Sequence, residues 1–97
     1  MGRAQTPPGE LVYAGSFCHC YRLPFLPEQA QAQYILVSHT SREVLAKVTW
    51  DVRTRRYVML TKPGSAWNST ALSEAALWLR KLSRLGMDTQ LRTKGHL

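Results

Sequence analysis

The middle of the chain carries three apolar strand-like segments, one of them with two-residue periodicity, separated by short polar stretches, and a capped helical pattern follows directly. Residues 34–39 read as a strand. Residues 44–50 alternate, with Val44, Ala46, Val48 and Trp50 on one face and Lys47 and Thr49 on the other. Residues 57–61 form the third segment, and Pro63-Gly64 ends it with a strong turn signal. Thr40, Ser41, Arg42 and Glu43 make one polar turn, and residues 51–55 make the next. Consecutive strands joined by short turns form an antiparallel meander.

Beyond residue 67 the period changes. Asn68, Ser69 and Thr70 offer N-caps, and Glu74 lies near the positive end of the element. Leu72, Ala75, Ala76, Leu79 and Leu82 recur at helical spacing, with Ala71, Trp78 and Leu85 beside them. Gly86 is a natural residue to follow a helix C-terminus, so the pattern predicts a helix ending there. An isolated helix of about 16 residues is marginal in water, so it must pack on the sheet. Leu72, Ala75, Leu79 and Leu82 are expected to meet Val44, Ala46, Val48 and the strand after them. Small residues at Ala71, Ala75 and Ala76 allow a close approach. Leu77 falls on the polar side of the helix.

Residues 11–23 read as one extended strand, with Gly15-Ser16 as a kink or bulge. Leu11, Tyr13, Phe17, His19, Tyr21 and Leu23 share one phase; Val12, Ala14, Cys18 and Cys20 share the other. Both phases are apolar, so both sides of this strand are expected to be covered. Pro24 and Pro27 stop regular pairing, and residues 27–33 suit one or two helical turns. The expected fold is α+β: a four-stranded antiparallel sheet, a meander, with one C-terminal α-helix packed on one face. At 97 residues there is room for one domain. It is placed at 11–86, between a flexible leader at 1–10 and a flexible basic tail at 87–97.

No apolar run approaches the roughly 20 residues of a bilayer span, so no membrane partner is expected. Residues 1–9 are polar and Pro/Gly-rich and lack the apolar core of a secretory signal. Met1-Gly2 with Thr6 opens a myristoylation-like pattern, but Arg3 is a poor neighbour for it and the segment reads as a frayed leader. Asn68-Ser69-Thr70 matches a glycosylation sequon and doubles as a helix cap. Cys18 and Cys20, two apart on a strand, do not easily meet disulfide geometry, which points to a reduced, cytoplasmic chain.

Cys18-His19-Cys20 contains zinc-ligand and nucleophile chemistry. Alternation, however, sends His19 to the face opposite both cysteines, and paired CxxC spacing is absent. The thiols therefore read as small buried apolar groups, and neither a metal nor a cofactor is expected. No P-loop, GxGxxG, GxSxG or HExxH pattern occurs, and no pair of carboxylates stands out, so the chain is not expected to be an enzyme.

The remaining signal is charge. Lys and Arg number 13 against 6 Asp and Glu, a net charge of +7. Residues 1–33 are neutral, with Arg3 and Arg22 against Glu10 and Glu28, so the whole excess lies in residues 34–97. It concentrates at Arg53, Thr54, Arg55, Arg56 with Lys62 close behind, and at Arg80, Lys81, Arg84 continuing to Arg92 and Lys94. The first cluster sits at a hairpin tip, where arginines pair with phosphates while guanidinium planes and Tyr57 or Trp50 stack on bases; Trp67 can join from the next loop. The second has a local role as well, since cations suit a helix C-terminus.

The expected function is a small basic non-enzymatic module. It binds nucleic acid or a ribonucleoprotein through Arg53, Arg55, Arg56, Tyr57, Lys62, Trp67, Arg80, Lys81 and Arg84. The alternative is a protein–protein interaction factor, an inhibitor or adaptor acting on an acidic protein surface. Its contact patch would be Leu77, or an uncovered sheet face bearing Tyr13, Phe17 and Tyr21. A homodimer through a sheet edge is a related expectation. In size and in lacking catalytic motifs the chain is similar to small phage and plasmid proteins that inhibit bacterial defence systems, such as anti-CRISPR proteins. That similarity implies an inhibitor's role and no specific site residue.

Overall fold

The computed structural model describes residues 9–24 and 31–95, with residues 87–95 as backbone only. Most of the expected leader and most of the helical turns expected from residue 27 lie outside the described residues. The strands are β1 (Glu10–Ala14), β2 (Cys18–Arg22), β3 (Tyr34–Ser38), β4 (Val44–Asp51) and β5 (Arg56–Thr61), followed by helix α1 (Ser69–Gly95). They form one five-stranded sheet in the order β1-β2-β3-β4-β5, every pair antiparallel. The expected antiparallel α+β meander is present, with five strands in place of four.

The extra strand comes from residues 11–23, which form a hairpin. Gly15 N–H donates to Cys18 O at 3.0 Å and closes the turn. A side chain at Gly15 would stand 2.8 Å from Cys18 O and 2.6 Å from Glu74 Oε1, so only glycine fits. The Glu74 carboxylate accepts Ser16 N–H at 3.2 Å and Ser16 Oγ–H at 3.0 Å, tying this turn to α1. The reversal also explains why both phases are apolar. Tyr13 is opposite Cys20 in the ladder, so it shares the inner face with the cysteines, although their numbers differ in parity. Tyr13 stacks on Trp78 of the helix and Phe17 packs on Trp67. The open sheet face expected to carry Tyr13, Phe17 and Tyr21 therefore does not exist as one patch.

The core lies between the sheet and α1. Cys18, Cys20, Tyr34, Leu36, Ala46, Val48 and Tyr57 meet Ala75, Trp78 and Leu82. Ala71, Ala75, Trp78 and Leu82, spaced at helical intervals, form the buried stripe, and Leu72 turns outward at 48% exposure. Val44, expected inside, is also exposed. The ladder slips between Leu36 and Val37, pairing Leu36 with Ala46 and Val37 with Val44, and this bulge moves Val44 out of phase. Leu77 is exposed, as its place on the polar side requires.

Asn68 caps α1, its Oδ1 accepting Ala71 N–H at 2.8 Å. The helix does not stop at Gly86; it runs to Gly95. Gly86 serves packing instead of termination. A side chain there would stand 2.6 Å from the Trp50 ring, so its bareness lets helix and sheet close on each other.

Candidate nucleic-acid interface

The turn between β4 and β5 spans Val52 to Arg55. Asp51 builds it: Oδ1 accepts Arg53 N–H at 3.1 Å, Oδ2 accepts Thr54 Oγ1–H at 2.9 Å, and its carbonyl accepts Arg55 N–H at 2.7 Å. Arg55 sits at φ 58°, in the left-handed region that glycine or asparagine fills most easily. The turn thus presents Arg53, Arg55 and Arg56 outward, all exposed.

Helix α1 passes beside this turn. Its Ser83 Oγ accepts Tyr57 N–H at 2.9 Å, fixing the helix against the outer edge of β5. Between them runs a groove of about 470 Å³, lined by Arg56, Tyr57, Ala76, Leu79, Arg80, Ser83 and Arg84. Arg80 and Arg84 stand one helical turn apart and face Arg56 across the opening. Residues 24 to 28 positions apart in sequence are thereby brought to one site.

No acid among the described residues lines the groove. The described carboxylates are engaged elsewhere: Glu10 with Arg22, Glu43 with Lys62, Glu74 with Ser16 and Asp51 within its own turn. Among the described residues, no ion pair involves Arg53, Arg55, Arg56, Arg80, Lys81 or Arg84. Among the described residues, their charge balances no acid.

Of the other expected site residues, Lys81, Lys62 and Trp67 lie apart from this cluster. Lys81, next to Arg80 in sequence, is turned away by the helical step and sits over the Tyr13 ring at 5.7 Å. Lys62, at the far end of β5, pairs with Glu43 at 3.4 Å. Trp67 packs on Phe17 beside the β1–β2 turn and donates Nε1–H to Ser65 Oγ at 2.9 Å. Tyr57 is only 6% exposed and forms floor, not a platform. Its ring lies edge-on to Tyr34 and Trp50, its hydroxyl donates to Ala32 O at 2.8 Å, and burial raises its pKa. Trp50 is packed between Tyr57 and Gly86. Sequence reasoning missed Ala76, Leu79 and Ser83 as groove residues. Helical phase links all three to Arg80 and Arg84, but only the fold says which strand they face.

The Cys18 and Cys20 thiols are free and buried under the helix, with His19 on the opposite face. Burial, with Glu74 adding to it, pushes Cys18 up to about 11, and burial together with Cys18 pushes Cys20 up to about 12. Such thiols stay protonated near neutrality and make poor nucleophiles. Among the described residues, no group of three or more His, Cys, Asp and Glu side chains is placed to hold a metal ion. No helix among them is long and apolar enough to cross a membrane. No protein-family model, curated protein or solved structure matches the chain.

Proposed function

We propose that this chain is a small non-enzymatic module that binds nucleic acid through the cleft between β5 and α1. The observation carrying this reading is the convergence of Arg56 with Arg80 and Arg84 around a groove that no acid among the described residues lines, beside Arg53 and Arg55 on the adjoining turn. Cations held together with no ion-pair partner among the described residues repel one another, so a ligand that neutralises them gains from every one. Phosphates are the fitting anions, because a guanidinium fork bonds two oxygens at once. With Tyr57, Trp50 and Trp67 engaged in packing, affinity rests on phosphate contact and little on aromatic stacking. An acidic protein surface is the alternative ligand for the same cations.

The test is fluorescence anisotropy of labelled oligonucleotides with purified chain, in low salt and again in high salt. The expected result is binding that weakens steeply with salt, since each neutralised phosphate releases a counterion. Absence of binding in low salt overturns the reading.

A further inference from the structure

Tracking a phosphate backbone needs only cations on a surface; it does not need a floor. Here the three arginines stand around a hollow also lined by Ala76, Leu79 and the buried residue Tyr57. An occupant that uses all of it joins a flat apolar body to an anion. A nucleotide in a single strand has that composition. In a duplex the bases are stacked inside and only phosphates face outward, so a base enters a groove only after extrusion.

Two other occupants fit less well. An extended acidic peptide would add to the edge of β5. In that strand Lys62 N–H bonds Leu45 O inward, so by alternation Tyr57, Met59 and Thr61 present their N–H groups outward. Ser83 already takes the Tyr57 N–H, and the helix behind it covers that end of the edge. Met59 and Thr61 remain, too short a ladder to hold a strand. A second copy pairing through β5 in antiparallel fashion would bring its own arginine turn towards Thr61 and Lys62 of the first, cation against cation.

We infer that the groove between β5 and α1 is a site for single-stranded nucleic acid, with a base laid on Ala76 and Leu79 and the flanking phosphates held by Arg56, Arg80 and Arg84. This rests on the nucleic-acid reading above and adds that unpaired bases, not backbone alone, are recognised. Arg53 and Arg55 extend the phosphate track along the turn.

The experiment compares three labelled probes of equal length at one low salt concentration: a single strand, a blunt duplex and a strand of abasic sugar-phosphate units. The single strand is expected to bind about tenfold more tightly than either other probe. Equal binding of the abasic strand, or equal or tighter binding of the duplex, overturns the base-insertion site while leaving the phosphate-binding reading intact. Failure of all three overturns both. Displacement of the single strand by poly-glutamate of equal charge, as readily as by unlabelled single strand, reassigns the groove to acidic protein and overturns the inference.

Filling the floor is the second arm. Ala76→Phe, checked for folding by its thermal melt, is expected to lower single-strand affinity to that of the abasic strand and to leave abasic binding unchanged. A folded Ala76→Phe chain that keeps its single-strand preference contradicts the site. Should that variant not fold, Ala76→Leu, with a smaller side chain, is read by the same two outcomes.

Discussion

In the turn from β3 to β4, Arg42 N–H donates to Ser38 O at 2.9 Å; in the turn from β4 to β5, Arg55 N–H donates to Asp51 O at 2.7 Å. Arg42 and Arg55 both sit in the left-handed region, at φ 64° and 58°. The side chain that opens each turn collects the same backbone group: Ser38 Oγ accepts Thr40 N–H at 3.3 Å, and Asp51 Oδ1 accepts Arg53 N–H at 3.1 Å. One backbone design is used twice. The charge placed on it differs. At the first turn Glu43 pairs with Lys62, while the second carries Arg53, Arg55 and Arg56 with no ion-pair partner among the described residues and lies against Arg80 and Arg84. The fold builds this turn without an arginine cluster elsewhere, so the turn's backbone does not require one.

The largest loss of binding is expected from the helix. Arg80→Glu with Arg84→Glu is expected to lower oligonucleotide affinity by about a hundredfold at low salt, because two phosphate contacts become repulsions. Lys81→Glu, the neighbour that faces Tyr13, is expected to change it by no more than about threefold. Anisotropy titrations of the two variants decide the matter, and similar losses would mean that charge acts without position.

A smaller effect follows from writing the first turn into the second. Val52→His, Arg53→Thr and Thr54→Ser together reproduce His39, Thr40 and Ser41 ahead of the arginine already at position 55. If the two backbones are equivalent, the melting temperature moves by only a few degrees, about 1 kcal/mol or less. Affinity is expected to fall about fivefold to tenfold through loss of the Arg53 contact. A large loss of stability would show that the turns are not interchangeable.

How far the sequence reveals this arrangement depends on the distance between the residues involved. The strands at 34–61 and the start of the helix are legible because each rests on neighbours: alternation, a Pro-Gly turn, an Asn cap. The first hairpin is obscured because Gly15-Ser16 reads equally as a bulge, and the reversal that makes it a turn depends on Glu74, far along the chain. Gly86 misleads because glycine past a helical stripe usually means an end. Here it means contact with Trp50, which no local pattern announces. The arginines are visible as two runs, but their meeting at one groove is a property of how α1 crosses β5. Arg80, Lys81 and Arg84 are one run in sequence, but Arg80 and Arg84 line the groove while Lys81 lies over Tyr13.

Two finer tests remain. Asp51→Ala and Ser38→Ala each remove the acceptor that organises a turn, and each is expected to cost about 1 kcal/mol in denaturant titrations. Only Asp51→Ala should also weaken binding, by loosening the arginines it positions. Arg42→Gly and Arg55→Gly relieve the left-handed conformation equally and are expected to change stability by less than about 1 kcal/mol, relief and chain entropy offsetting each other. Of this pair, Arg55→Gly alone should lower affinity.

The proposed function requires Arg56, Arg80 and Arg84 to act on one polyanion at one site. Its most direct measurement is the slope of log affinity against log salt for wild type and for the Arg56→Gln/Arg80→Gln/Arg84→Gln chain, on the same single-stranded probe. The account predicts a slope for wild type that becomes shallower by about two in the triple variant, the share of three phosphate contacts on a single strand. An unchanged slope would contradict it, since the groove arginines would then contribute no phosphate contact.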